Sequence, residues 1–293
     1  MFFFKYLLLL LTVLSSLLTA AQKTILWKVT NPGHNHTSYL LGTYHSFGSS
    51  FVDSFPIIAQ KVQASEVFVM EANLDKGGDS AFYAARTSTT PLLAVLGEKD
   101  STALARVLRM RGNYLNKLTP GEITLFLMFY AFNTCTKYNR NDSLLMDWYL
   151  KEIAVRFNKR MFFLETDSLQ LEKIFQATAK TNQKSLKKTV PYLLKRIEKR
   201  PKKTESCINE NKYASFNSNY RLSKKCSQKG KRKILVTDRN VAWMQELPQF
   251  VANNNCFIAV GLEHLWFECG LIQQFKKLGY TVEPVNMRTV KPL

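Results

Sequence analysis

Val67-Phe68-Val69-Met70, Met161-Phe162-Phe163-Leu164 and Cys256-Phe257-Ile258-Ala259-Val260 are runs of four or five apolar residues with no polar alternation. Runs this short fall below helix length, and apolar character on both faces demands cover on both, so each reads as a buried strand. Helical signals lie between them. Thr119-Pro120-Gly121-Glu122 supplies a capping Thr, a Pro at the first helical position and a Glu three residues on, which predicts a helix to about Phe132. The nearly all-apolar stretch from Ile123 to Phe132 predicts that this helix is buried, and it is too short to span a bilayer. Asn141-Asp142-Ser143 predicts the cap of a second helix to about Asn158, with Leu145, Tyr149, Ile153 and Phe157 on one face. Further helices are expected over about 238–247 and 266–278, and a last strand near 280–285. Ile25–Val29 and Ser38–Thr43 flank Asn31-Pro32-Gly33 and predict a hairpin. Strands alternating with helices define an α/β protein, a central, mostly buried sheet with helices on both faces.

The charge is concentrated in one place. Of 41 Lys and Arg against 22 Asp and Glu, 18 basic and only three acidic residues fall between Lys180 and Lys233, so most of the net +19 belongs to that segment. Within it Leu186, Val190, Leu193 and Ile197 keep helical spacing, with a break or new start expected at Pro191. From Cys207 to Gly230 periodicity is lost and a solvated loop is expected. The expected organisation is a single domain over 22–293 carrying a basic insertion at about 180–233, whose candidate partners are anionic lipid or polysaccharide.

The first 21 residues have one Lys, an apolar stretch and a small-residue end at Thr19-Ala20-Ala21, the pattern of a cleaved secretory signal. An uncleaved N-terminal anchor is the alternative. No other apolar run approaches ~20 residues, so the mature chain is expected to lack a transmembrane segment and to be exported, periplasmic or secreted. An exported protein does not meet nucleic acid, which excludes that partner despite the charge. Among the five cysteines, Cys207 and Cys226 are the two in the basic segment, and a disulfide between them is expected to staple it. Buried free thiols are the alternative, one that suits Cys256.

Two of the four histidines share a context. His45 in Gly42-Thr43-Tyr44-His45 and His264 in Gly261-Leu262-Glu263-His264 each follow a strand that ends in Gly. Glu71 and Glu165 directly follow two of the apolar runs. Groups delivered at strand ends of an α/β sheet converge on one crevice. Two histidines and a carboxylate leave a coordination position open for water, as hydrolytic metal sites do.

Several stretches point the same way, in order along the chain: Trp27-Lys28-Val29, Tyr39–His45, Val69-Met70-Glu71, Gly261–Leu265, Gly270-Leu271 and Leu278–Pro284. Together they resemble the TraB/GumN family, which includes the Tiki metalloproteases. Leu164-Glu165-Thr166 with Gln170, and Arg239-Asn240 with Met244, are weaker matches. The resemblance implies a fold like that of the erythromycin-esterase/ChaN group and one site built from two GxxH motifs and a glutamate. Carried over, His45, His264 and Glu71 are the candidate ligands of a divalent metal (zinc, manganese or cobalt) that activates water against an amide or ester carbonyl of a peptide or protein substrate. Gly42 and Gly261 are expected to let the chain turn tightly beside the site. Glu165 is a candidate proton shuttle and Arg239 a candidate oxyanion stabiliser, with a structural ion pair between them as the alternative. Phe267 stands where many relatives have Gly. A metal-free His/Glu hydrolase and a non-catalytic envelope binding protein are the competing functions.

Overall fold

A computed structural model describes residues 24–33, 35–45, 47–73, 82–87, 90–108, 114–133, 145–199, 222 and 224–287. The expected hairpin forms from β1 (Leu26–Thr30) and β2 (Thr37–Thr43), paired antiparallel from Leu26↔Leu41 to Thr30↔Thr37. In its turn the Gly33 N–H donates to Asn31 Oδ1 at 3.0 Å, the local bond that makes Asn a turn former. The three apolar runs give β3 (Val67–Met70), β4 (Arg160–Phe163) and β5 (Cys256–Gly261), and the last strand is β6 (Thr281–Pro284). They join one six-stranded sheet in the order β4-β3-β5-β2-β1-β6. β4, β3, β5 and β2 run parallel, while β1 is antiparallel to both β2 and β6. The protein is therefore α/β, as the alternation predicts.

The helices are α1 (Ser49–Asp53), α2 (Pro56–Ala64), α3 (Leu92–Val107), α4 (Pro120–Asn133), α5 (Met146–Arg156), α6 (Asp167–Thr178), α7 (Gln183–Lys199), α8 (Asp238–Trp243), α9 (Leu247–Asn253) and α10 (Leu271–Lys277). A helical turn at Gly230–Arg232 and a π-helical turn at Lys233–Thr237 lead into α8, and a 3-10 turn at Leu262–Leu265 follows β5. Every residue of β3 and the first five of β5 are buried, so the sheet is covered on both faces at these strands, and the Phe68 and Phe257 rings stack at 5.8 Å. A second apolar cluster, absent from the sequence reading, joins α3, α4 and α7 through Leu92, Leu104, Ile123, Leu127, Leu186 and Val190.

The capping box that opens α4 forms as expected. Thr119 N–H donates to Glu122 Oε2 at 2.8 Å, and the Glu122 N–H returns to Thr119 Oγ1 at 3.3 Å. Burial of that helix on all sides does not hold, because Met128 is 38% exposed while Ile123, Leu127 and Ala131 form the buried stripe. The expected break at Pro191 is also corrected: α7 runs through it. Leu186, Val190 and Leu193 stay on one buried stripe across the proline, and their burial outweighs the hydrogen bond that proline removes. The helix expected from about residue 266 begins at Leu271. The 3-10 turn comes first, and the chain then folds back so closely that a Cβ on Gly270 would lie 2.0 Å from the Trp266 carbonyl oxygen.

Cys226 is bonded to Cys269, with a Cα–Cα separation of 5.8 Å, and not to Cys207. The bridge ties the end of the basic segment to the loop before α10, a contact made by tertiary folding and not by sequence proximity. Cys256 is a buried free thiol, pushed up to about 11 by burial. Cys207, the Asn141-Asp142-Ser143 cap and the N-terminal signal lie outside the described residues. Among those described, no helix is long and apolar enough to cross a membrane.

Pro191→Ala restores a helix-interior N–H at a partly buried position. It is expected to stabilise the protein by about 1–3 kcal/mol, read as a higher urea midpoint at unchanged slope. A lower midpoint would show that the proline is required where it stands.

Candidate active site

The four parallel strands end side by side, and each delivers one ionisable side chain within three residues of its end. His45 follows β2, Glu71 follows β3, Glu165 follows β4 and His264 follows β5. The ladder continues past the strands, with Glu165 N–H donating to the Glu71 carbonyl at 2.9 Å, so the two carboxylates leave the sheet in register. This edge is where open α/β sheets bind ligands.

Four of the sequence-derived residues form one hydrogen-bonded cluster around Arg239 of α8. Its Nε and Nη2 donate to the two oxygens of Glu165 at 3.0 and 2.5 Å, its Nη2 also donates to Glu71 Oε2 at 2.6 Å, and its Nη1 lies 3.2 Å from His264 Nε2. All four side chains are buried. The Trp243 ring covers both the guanidinium, 4.7 Å from its centroid, and the His264 ring, 4.4 Å away. Glu71 is held further by the Gly261 N–H at 2.7 Å and by Gln170 Nε2 at 3.2 Å.

His45 lies in a second, adjoining unit. Its Nδ1 is 2.5 Å from Asp147 Oδ2 in the first turn of α5, and the other Asp147 oxygen accepts from Thr43 Oγ1 at 2.7 Å. The ring is half exposed and rests 6.2 Å from that of Phe129 on α4. Glu71 and Arg239 both act on it electrostatically.

The two histidines are pushed to opposite protonation states. The Asp147 charge raises His45 to about 9 against the cost of desolvation, so it is a cation at neutral pH. Burial lowers His264 to about 3, with Glu71 opposing and Arg239 adding to the shift, so it is neutral. Burial by itself would raise Glu71, but Arg239, then His264 and His45, outweigh it and hold the carboxyl well below its usual range.

The tautomer of His264 follows from its neighbours. Asn240 Nδ2 donates to the carbonyls of His264 and Cys269 at 3.0 and 2.9 Å, which leaves Asn240 Oδ1 as the acceptor for His264 Nδ1–H at 2.6 Å. Nε2 therefore carries the lone pair, and it accepts from Arg239 Nη1. The motif glycines act through space and not through turns. Gly42 lies within β2, where a Cβ would meet Leu262 Cδ1 at 2.3 Å and Leu262 Cα at 3.2 Å. A Cβ on Gly261 would sit 3.2 Å from Glu71 Oε1, crowding the carboxylate that its N–H binds. Phe267 adopts φ +68°, a conformation that glycine takes without strain.

Asp147 was not found from the sequence, because an acid in the first turn of a helix reads as a partner of the helix dipole. Gln170 and Asn240 appeared only as matched positions without roles. Neither lies on a strand end, and only tertiary contact shows what they hold.

An α/β sheet with ionisable side chains gathered at the ends of its parallel strands is the class that this geometry defines. The model of the TraB/PrgY/gumN family matches residues 25–284, and the chain belongs to that family. No curated protein matches it.

Long-range 1H–15N NMR at pH 7 should find His264 neutral with its proton on Nδ1, and His45 as an imidazolium that titrates near 9. An unfolded histidine gains its proton near pH ~6.5, while folded His264 resists until about 3. Acidification through that window therefore favours unfolding, and His264→Gln should flatten the loss. A His264 that titrates near 6.5 would contradict the cluster.

Proposed function

We propose that the chain is a hydrolase of amide or ester bonds, acting on a peptide or protein substrate at the ends of β2, β3, β4 and β5. One observation carries the reading: each GxxH histidine has its Nδ1 fixed by an oxygen, Asp147 Oδ2 for His45 and Asn240 Oδ1 for His264. This is the outer-shell arrangement of metal-ligating histidines, which sets the ring and leaves Nε2 for the ligand.

The residues fit a divalent cation at one pair. His264 Nε2 lies 3.6 Å from Glu71 Oε1, the spacing of two ligands about 2.0–2.2 Å from a shared ion. The imidazole is neutral and the carboxylate ionised, as ligation requires. His45 is the third ligand of the proposal only once it gives up the proton that Asp147 stabilises, because ligation requires a neutral imidazole, and among the described residues no group of three His, Cys, Asp or Glu is already gathered for an ion. When bound, the cation would lower the pKa of water and polarise the scissile carbonyl. Loading requires Arg239 Nη1 to give up its bond to His264 Nε2. Arg239 then supplies positive charge for the developing oxyanion. Glu165, first considered as a proton shuttle, has both oxygens engaged by that guanidinium, so its proposed role is to set the guanidinium plane.

A metal-free reading is favoured by the His45–Asp147 pair, a half-exposed imidazole oriented by a buried carboxylate. Here His45 carries the proton at the reacting bond. The export expected from the N-terminus is kept in the proposal, because the Cys226–Cys269 disulfide suits an oxidising compartment.

Metal analysis of the purified full chain with a peptide-cleavage screen tests both readings. The metal reading expects about one equivalent of divalent ion, lost in His264→Ala, and cleavage abolished by chelation and restored by metal. Cleavage that survives chelation but falls about 100-fold or more in His45→Ala would favour the metal-free reading. Neither metal nor cleavage would overturn the hydrolase proposal.

A further inference from the structure

From Ile123 to Phe132 α4 is nearly all apolar, yet only part of it is core. Ile123, Leu127 and Ala131 face the second cluster, with Phe126 and Tyr130 packed at its margin. Phe129 reaches the His45 ring. Met128 points elsewhere, into a groove of about 420 Å3 between α4 and α7. Its floor and walls are Met128, Ala131, Thr189, Tyr192 and Leu193, and Lys188 and Arg196 line it as well. Tyr192 is 62% exposed.

Two properties of the groove select its occupant. It is apolar and of small-molecule size, within the about 300–1,000 Å3 that such pockets span. It is bordered by a helix that carries Lys184, Lys187, Lys188, Lys195, Arg196 and Lys199 against one acid, Glu198. An uncharged apolar ligand would leave that charge unused, and a soluble anion would leave the apolar wall wet. The solvent-exposed phenol of Tyr192 at the rim suits the boundary between an apolar body and a polar head.

We infer that the α4–α7 groove binds the monomer of an anionic amphiphile, with an aliphatic chain against Met128 and Tyr192 over the nearly covered Ala131 and Leu193, and a carboxylate or phosphate head between Lys188 and Arg196. The surrounding lysines add long-range attraction for the head group. The site is separate from the β-strand-end cluster and does not depend on its chemistry.

The test is fluorescence titration of the full chain with dansylaminoundecanoate below its micelle concentration, with its methyl ester as neutral comparator and dodecyl phosphate and laurate as competitors. Saturable one-to-one binding is expected, at least tenfold tighter for the anion than for the ester. Displacement by laurate alone assigns the head as a carboxylate, and displacement by dodecyl phosphate alone assigns it as a phosphate. Lys188→Glu, at an exposed position, should weaken binding about tenfold or more, and Thr189→Trp should block it by filling the groove, both with an unchanged melting temperature. His45→Ala should bind as the parent does. Equal affinity for the ester, binding unaffected by Thr189→Trp, or adsorption only to phosphatidylglycerol vesicles with no monomer binding would each overturn the inference.

Discussion

Arg239 is the interaction on which the site depends. Glu71 and Glu165 leave adjacent parallel strands and are buried together. Two such carboxylates cannot both ionise in a dry site unless a cation lies between them. A guanidinium meets both because its planar fork offers donors in fixed directions. Arg239 reaches them from just beyond a π-helical turn, and its Nη1 also donates to the Leu235 carbonyl inside that turn at 3.1 Å. Single π turns recur at functional sites, where they re-aim the helix that follows. Here the turn carries Arg239 and Asn240 to the strand ends together, one for the carboxylates and one for His264.

The same few contacts set the two histidines apart. His264 is dry, covered by Trp243 and turned by Asn240, and it stays neutral. His45 is half in water and paired with Asp147, and it stays charged. Groups whose surroundings push their protonation in opposite directions are the ones that divide acid and base work. The motifs read from the sequence and the geometry thus meet at the same residues, with Asp147 and Asn240 as the supports that hold the rings.

The sheet was legible in the sequence because short apolar runs admit few readings, and β3, β4 and β5 fall where those runs lie. The acids that end the runs were legible for the same reason: a charge directly after a buried strand must emerge at its end. What sequence spacing could not carry was long-range. Cys226 pairs with Cys269 across 43 residues, and Asp147 meets His45 across 102. Pro191 reads locally as a helix breaker, yet the buried stripe on both sides holds the helix together. The apolar girth of α4 reads as deep burial, whereas the helix divides its surface among a core, the His45 ring and an open groove.

The most direct test of the central role of Arg239 is a mutant cycle in urea unfolding. Arg239→Met alone should cost about 3–5 kcal/mol, because it leaves two buried carboxylates without their cation. Adding Glu71→Gln and Glu165→Gln in the same chain should recover most of that loss, since the stranded charges are then gone. A single substitution costing under about 1 kcal/mol, or three losses that simply add, would contradict the account.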